Sequence, residues 1–541
     1  MGTKHGRLVL SMVFLIVGGA LFATAAIAGG RSHHAGIKEG GTLRLNMSSS
    51  DIQSIDPGID YEFLGWPLEF ATCLKLVNYP DKPGKAGTVL IPEAAKTLPR
   101  ISADGKTYTF TIRPGFKFNT GETVTAETFA YAINRDLDPK LVSPSVAFLG
   151  DVAGANAVVT KKAKTASGVR ASGNTLTIHL TKQAPDFVAR MAMNFFCAIP
   201  VGLPVPLRGN TVPSAGPYYI ASRTPNRSVA LKRNPNYSGS RPHRVDQMLA
   251  TVNTNINQSL LQVKSGEADY DVYGLPQTGA AQLSGQFGVN KGRFFVHTQN
   301  AINYLAINTR RVTGVSIRKA INFAVARPAI IRQAGVLAGE PTDQILPPTL
   351  RGFEDANLYP LRGPDVARAK ALMKGRHLKM TLYSTNDPQA QAQDQVIVAN
   401  LKAIGIDVTP KPLPFSALLA AIGDPTEPYD LVLIGWLADY PDPVDFVNIL
   451  FDGNHISKQN NNNLALLDVP AYNRRMEAAE RLAGAQRYAT FGKLDIDIMR
   501  DAAPWAALYN PTVREFISAR VGCYIFQPAF AAMDLANVCL K

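Results

Sequence analysis

At 541 residues, with 46% hydrophobic and 18% charged positions, the chain has apolar material for several cores and length for about three domains. The balance of 56 Lys+Arg against 42 Asp+Glu gives +14, a bias towards anionic surfaces and ligands. These charges are scattered, and no basic run with interleaved aromatics occurs, so nucleic acid is not an expected partner.

Lys4 and Arg7 precede an uncharged stretch over 8–28 that closes on Ala26-Ile27-Ala28, the pattern of a secretory signal peptide (1–28). The stretch also approaches the ~20 residues that span a bilayer, so an uncleaved membrane anchor is the alternative. No cysteine follows it, which argues against lipid attachment. Residues 29–40 read as a flexible leader.

The four cysteines, Cys73, Cys197, Cys523 and Cys539, are even in number, which in an exported chain favours disulfides. Three connectivities are open to them. Pairing Cys523 with its near neighbour Cys539 leaves Cys73 for Cys197; buried free thiols are the alternative. No Cys-x-x-Cys spacing offers a zinc or redox motif, and no metal or cofactor is expected.

Alternation predicts a first strand over 41–45, then a turn at Asp56-Pro57-Gly58. In 107–113, Tyr108, Phe110 and Ile112 point one way and three threonines the other, a half-buried strand. Thr125 suits the cap of a helix over 126–135, with Phe129, Ala132 and Ile133 on one face. Strand 174–181 buries Leu176, Ile178 and Leu180. The Pro-rich 200–217 reads as a boundary. Further on, helices are expected over 317–332, 364–373 (Pro364 at its first position) and 393–404, with strands over 378–383 and 431–435. Alternating strands and helices imply an α/β fold.

Several segments in series resemble the family 5 extracellular solute-binding proteins of ABC transporters, the oligopeptide- and dipeptide-binding proteins. They are Ser54-Ile55-Asp56-Pro57; Tyr108 to Phe118 with Thr120-Gly121-Glu122 and Val124-Thr125-Ala126-Glu127; and Gly216-Pro217-Tyr218 with Lys232-Arg233-Asn234-Pro235-Asn236-Tyr237. Gly266-Glu267-Ala268-Asp269, Ile317-Arg318-Lys319-Ala320-Ile321-Asn322 and the loop Gly435-Trp436-Leu437-Ala438-Asp439-Tyr440-Pro441-Asp442-Pro443 complete the series. Two departures are Thr128 after Glu127 and Ala326 before Arg327, where the family often has acidic residues.

The resemblance implies a two-lobed periplasmic-binding-protein (type II, Venus-flytrap) α/β fold with an extra domain inserted in the first lobe. Residues 41–78, 212–302 and 503–541 would form the first lobe's core, 79–211 the extra domain and 303–502 the second lobe. Two strands crossing near Ala306 and Trp505 would act as the hinge. The implied function is capture of a small ligand, most often a short peptide, by a periplasmic or extracellular monomer that delivers it to an ABC transporter permease.

Asp439 is the leading ligand contact, since a carboxylate in a closed cleft needs a partner and a peptide ammonium supplies one. Trp436 would wall the site, and Tyr440 is grouped with it. Tyr61, Glu62 and Phe63 follow the Asp-Pro turn where the family's first lobe meets its ligand, and Phe148 would line the cleft from the extra domain. Arg310 and Arg311 read as a solvated pair. No nucleophile elbow, His-Glu-x-x-His, phosphate-loop or dinucleotide motif occurs, so an enzyme is not expected. A receptor signalling to a membrane partner, and more remotely an exported hydrolase, are the other classes in play.

Overall fold

The computed structural model describes residues 39–541 apart from Ser49, Arg208 and Asn210. The expected signal peptide, its cleavage point and nearly all of the leader lie outside the described residues. Among the described residues no helix is long and apolar enough to cross a membrane.

Three sheets organise the described chain. In the first, Thr42–Ser48 buries Leu43, Leu45 and Met47 and runs parallel to Gln247–Thr254 and to the short Tyr270–Asp271. Ser228–Arg233 and Tyr218–Thr224 extend it antiparallel. Its core is completed from the far end of the chain by Val521, Met533, Leu535, Val538 and Leu540.

The second sheet is antiparallel, in the order Arg100–Ile101, Thr107–Thr111, Thr175–His179, Val169–Ser172. Tyr108 and Phe110 meet Ile178 and Leu176 across it, and helix Ala126–Asp136 lays Phe129 and Ile133 in the same core. Thr125 has the extended backbone of a cap, but its side chain makes no capping bond. Thr128 bonds the Thr125 carbonyl instead, at 2.7 Å. Cys73 is joined to Cys197 and Cys523 to Cys539, with Cα separations of 5.3 and 5.4 Å.

The third sheet has seven strands. Its main order is Phe294–Thr298, Trp505–Phe516, Ala301–Ile307, Leu431–Leu437, Leu378–Thr385, Ile406–Leu413, and Gly339–Pro341 pairs beside Trp505–Phe516. A sheet this apolar needs cover on both faces. Helices Val315–Ala324, Arg327–Ala334 and Pro388–Lys402 supply Ile321, Ile330 and Ile397 to one core. Helices Val444–Phe451, Pro470–Glu480 and Gly484–Asp497 supply Phe446, Met476 and Phe491 to the other.

Several expectations are corrected. The single helix over 317–332 is two, broken at Val325 and Ala326. Pro328 cannot donate to a continuing helix, and the Arg327 guanidinium takes the Asn322 carbonyl at 3.1 Å. The helix expected from Pro364 starts at Val366, because the Asp365 side chain caps it by accepting from the Arg368 amide at 2.9 Å. The helix over 393–404 begins earlier, at Pro388, behind an Asp387 cap. Ala306 and Trp505 are register partners fully buried inside the seven-stranded sheet. The strand Trp505–Phe516 changes partner beyond them: residues 505–509 pair with Ala301–Ile307 and residues 512–516 with Phe294–Thr298. Between, the Gln299 amide bonds the Pro511 carbonyl at 3.0 Å.

Candidate functional site

One wall of the site is the end of strand Leu431–Leu437 and the loop behind it. Its antiparallel register sets Trp436 opposite Ile302 and Leu437 opposite Ala301. The loop is anchored by carboxylates. Asp442 is held bidentately by Arg487 at 2.7 and 2.6 Å, both side chains buried, and also accepts the Val444 amide at 3.0 Å. Asp445, on the first turn of Val444–Phe451, reaches back to accept from both the Trp436 indole and the Asp439 amide.

The facing wall follows the Asp-Pro turn. Asp56 is clamped by Arg135 at 2.8 and 2.6 Å and accepts the Gly58 amide at 3.1 Å, which makes the turn a buried anchor. From it the chain presents Tyr61, Phe63 and Trp66. The Tyr61 ring lies 6.0 Å from Trp66, 5.6 Å from Phe195 and 6.3 Å from Phe148. Its hydroxyl donates to Asp439 across the gap.

Between the walls is a cavity of about 230 Å³ lined by Tyr61, Phe63, Trp66, Asn300, Trp436, Leu437, Ala438, Asp439 and residues 528–531. A second cavity of about 370 Å³, which also has Trp436 in its lining, is formed by Tyr304, Phe415, Leu419, Ile422, Ile434 and Asn460 to Asn462. Trp436 is thus common to both cavities.

Burial pushes the Asp439 carboxyl up to about 6, with the Tyr61 hydroxyl pulling the other way. Burial, then the neighbouring Asp439 charge, holds Asp445 well above the ordinary carboxylate range. Among the described residues Asp439 has no salt-bridge partner, so the cavity holds a carboxylate with room for a cation.

The structure brings Tyr61, Phe63, Trp436 and Asp439 to one cavity and leaves three expected contacts outside it. Glu62 is exposed. Phe148 is half-buried behind Tyr61 and buttresses it. Tyr440 is buried, and its hydroxyl donates to Asp186 at 2.8 Å rather than facing the 230 Å³ cavity. Arg311 pairs with Asp430 at 2.8 Å, away from the site. Asn300 and residues 528–531 were not legible as site residues. Asn300 donates to the Pro528 carbonyl and accepts the Ala438 amide, both at 2.9 Å, a stitch that no local motif announces.

The model for bacterial extracellular solute-binding proteins, family 5 Middle, matches residues 89–458. The chain is 26% identical over 434 residues to the oligopeptide-binding protein OppA of Bacillus subtilis, covering 75% of this chain and 77% of that protein. It is 24% identical over 481 residues to heme-binding protein A of Haemophilus influenzae, covering 82% and 83%. Among solved structures, the clavulanic acid biosynthesis oligopeptide binding protein 2 superposes with a TM-score of 0.85 at 24% identity, covering 93% of this chain and 96% of that one. The unliganded open form of the murein tripeptide binding protein MppA gives 0.78 at 22% identity, with 93% and 98% covered. These likenesses carry the mixed α/β periplasmic-binding-protein fold, and the family is one of binding components rather than catalysts. The chain belongs to the bacterial extracellular solute-binding proteins of family 5.

Proposed function

We propose that the chain is the solute-capturing component of an ABC importer and that its solute is a short peptide whose α-ammonium meets Asp439. The observation that carries this is a half-buried, raised carboxylate without a cationic partner among the described residues, facing an apolar-walled cavity. An ammonium brought there would form a charge-assisted hydrogen bond where little water screens it. Trp436 would flank the peptide plane, and the second cavity it lines would take a side chain. The names of several relatives, oligopeptide-, dipeptide- and di/tripeptide-binding, support the peptide class.

In this reading residues 303–502 form one lobe and the flanking segments the other, and the lobes close on the peptide about 299–300 and 510–511. The exported form begins at Gly29 and works as a monomer with its permease. Calorimetry with unblocked and N-acetylated trialanine, on the wild type and Asp439→Asn, tests the ligand. Acetylation and mutation should each weaken binding at least about tenfold and should not add, since both remove the same bond. Independent losses would separate the amine from Asp439, and no binding by folded protein would remove the peptide.

A further inference from the structure

Asp439 and Tyr440 are consecutive, yet each is bonded across the cleft by a phenol–carboxylate pair of opposite sense. Tyr61, from the segment after the Asp-Pro turn, donates to Asp439. Tyr440, from the loop beside the seven-stranded sheet, donates back to Asp186 at 2.8 Å. Tyr440 is 3% exposed and belongs to a core otherwise built from residues 74–215. Its ring stands edge-on to Phe148, centroids 6.3 Å apart.

The acceptor is ready-made. Arg190 holds Asp186 through two bonds, at 2.7 and 3.1 Å, and is itself held by Asp151 at 2.8 Å. When Tyr440 withdraws, Asp186 keeps its counter-charge, so no buried ion is orphaned and the step is reversible. The loop keeps its own anchors too, because Asp442–Arg487 and Asp445 belong to the same side as Tyr440. A side chain bonded in one arrangement and free in the other, between two bodies that stay intact, is a two-state element.

We infer that Tyr440 is a closure latch and positioning residue rather than a ligand contact: by plugging into the core around Asp186 it sets Asp439 against Tyr61 and favours the closed cleft. This rests on the reading that the chain closes around a solute, but not on that solute's being a peptide.

The test uses no ligand. Dyes on Lys162→Cys and Lys493→Cys, both exposed in the wild type, report closed and open molecules by single-molecule energy transfer in protein stripped by unfolding and refolding. Tyr440→Phe, which keeps the ring, should lower the closed-to-open ratio about tenfold, the size of one charge-assisted bond. Tyr440→Ala should lower it further. The melting temperature of Tyr440→Phe should stay close to the wild type, because Asp186–Arg190 survives. Equal ratios in the wild type and Tyr440→Phe, including no closed molecules in either, overturn the latch. So does a loss of stability with an unchanged ratio. If Tyr440→Ala does not fold, Tyr440→Phe decides alone.

Discussion

Trp436 and Asp439 share one acceptor: the indole Nε1 and the Asp439 amide both donate to Oδ2 of Asp445, each at 3.1 Å. The ring common to both cavities and the carboxylate near it are therefore set by a single side chain that is itself buried. Burial and then the Asp439 charge disfavour the ionised form of Asp445, so its shape and acceptor are expected to count for more than its charge. Asp445→Asn should leave both stability and solute affinity close to the wild type. Asp445→Ala leaves two donors unpaired at about 1–3 kcal/mol each, and should lower the urea midpoint and weaken binding together. An Asn variant as damaged as the Ala variant would show that the charge is needed.

Capture of an amine should depend on pH with a sign set by Asp439. The ammonium binds the ionised carboxylate, and burial places that ionisation at about 6. Affinity should be full above that value and fall towards tenfold per pH unit below it. A second decline is expected above about 8, where a peptide α-amine loses its proton. Calorimetry from pH 4.5 to 9 reads both limbs, and Asp439→Asn should flatten both, since each limb reports the same ammonium–carboxylate bond.

Glu69 is buried with both carboxyl oxygens unbonded among the described residues. Burial first, then Asp60 and Asp56, raises it well above the usual range, against a pull from Lys75. A carboxyl raised on folding contributes stability that is fully present below its unfolded pKa of about 4.3 and is lost as pH climbs towards the folded value. Glu69→Gln should thus melt close to the wild type at pH 4 and clearly above it at pH 8. The gain is about 1.4 kcal/mol for each pH unit between the two pKa values that has been crossed. Thermal melts at the two pH values decide it, and a variant less stable at pH 8 would show that the ionised form is paired.

The two disulfides close loops of very different length, with sequence separations of 124 and 16. Chain-entropy arguments give about 4.7 kcal/mol for a loop near a hundred residues and about 3 for one near fifteen. Replacing Cys73 and Cys197 by serine should lower the melting temperature more than replacing Cys523 and Cys539. The native protein should take up no alkylating reagent before reduction.

Local pattern was the legible part. The alternation around Tyr108 and Phe110, and around Leu378, Met380 and Leu382, placed strands within two residues of their bounds, because one buried face leaves little freedom of register. What long-range packing decides was not legible. The Asp-Pro turn could be read, but its clamp is Arg135, 79 residues on. Arg327 could be noted only as the residue after Ala326, where the family often has an acid. Its burial with bonds to the carbonyls of Thr342, Ala507, Asn322 and Pro360 depends on a strand, a helix and two loop segments converging. Asp439 and Trp436 reached the cavity through a motif. Asn300 and residues 528–531 reached it only by tertiary folding, and Tyr440, next to Asp439, turned the other way.

The first sheet carries a consequence for the order in which the molecule is made. Asp269 gathers Arg44 at 3.5 Å, Arg520 at 3.0 Å and the Ser518 hydroxyl at 2.8 Å, and the core around Thr42–Ser48 is closed by Val538 and Leu540. Strand Thr42–Ser48 therefore waits for residues 517–540 to be made before its core is whole. The stretch that forms the seven-stranded sheet can pair much of itself in the interval, since all but two of its strands lie between Ala301 and Leu437. A nascent chain thus carries the apolar residues Leu43, Leu45 and Met47 unsealed until residues 517–540 have followed, long after much of the seven-stranded sheet can pair.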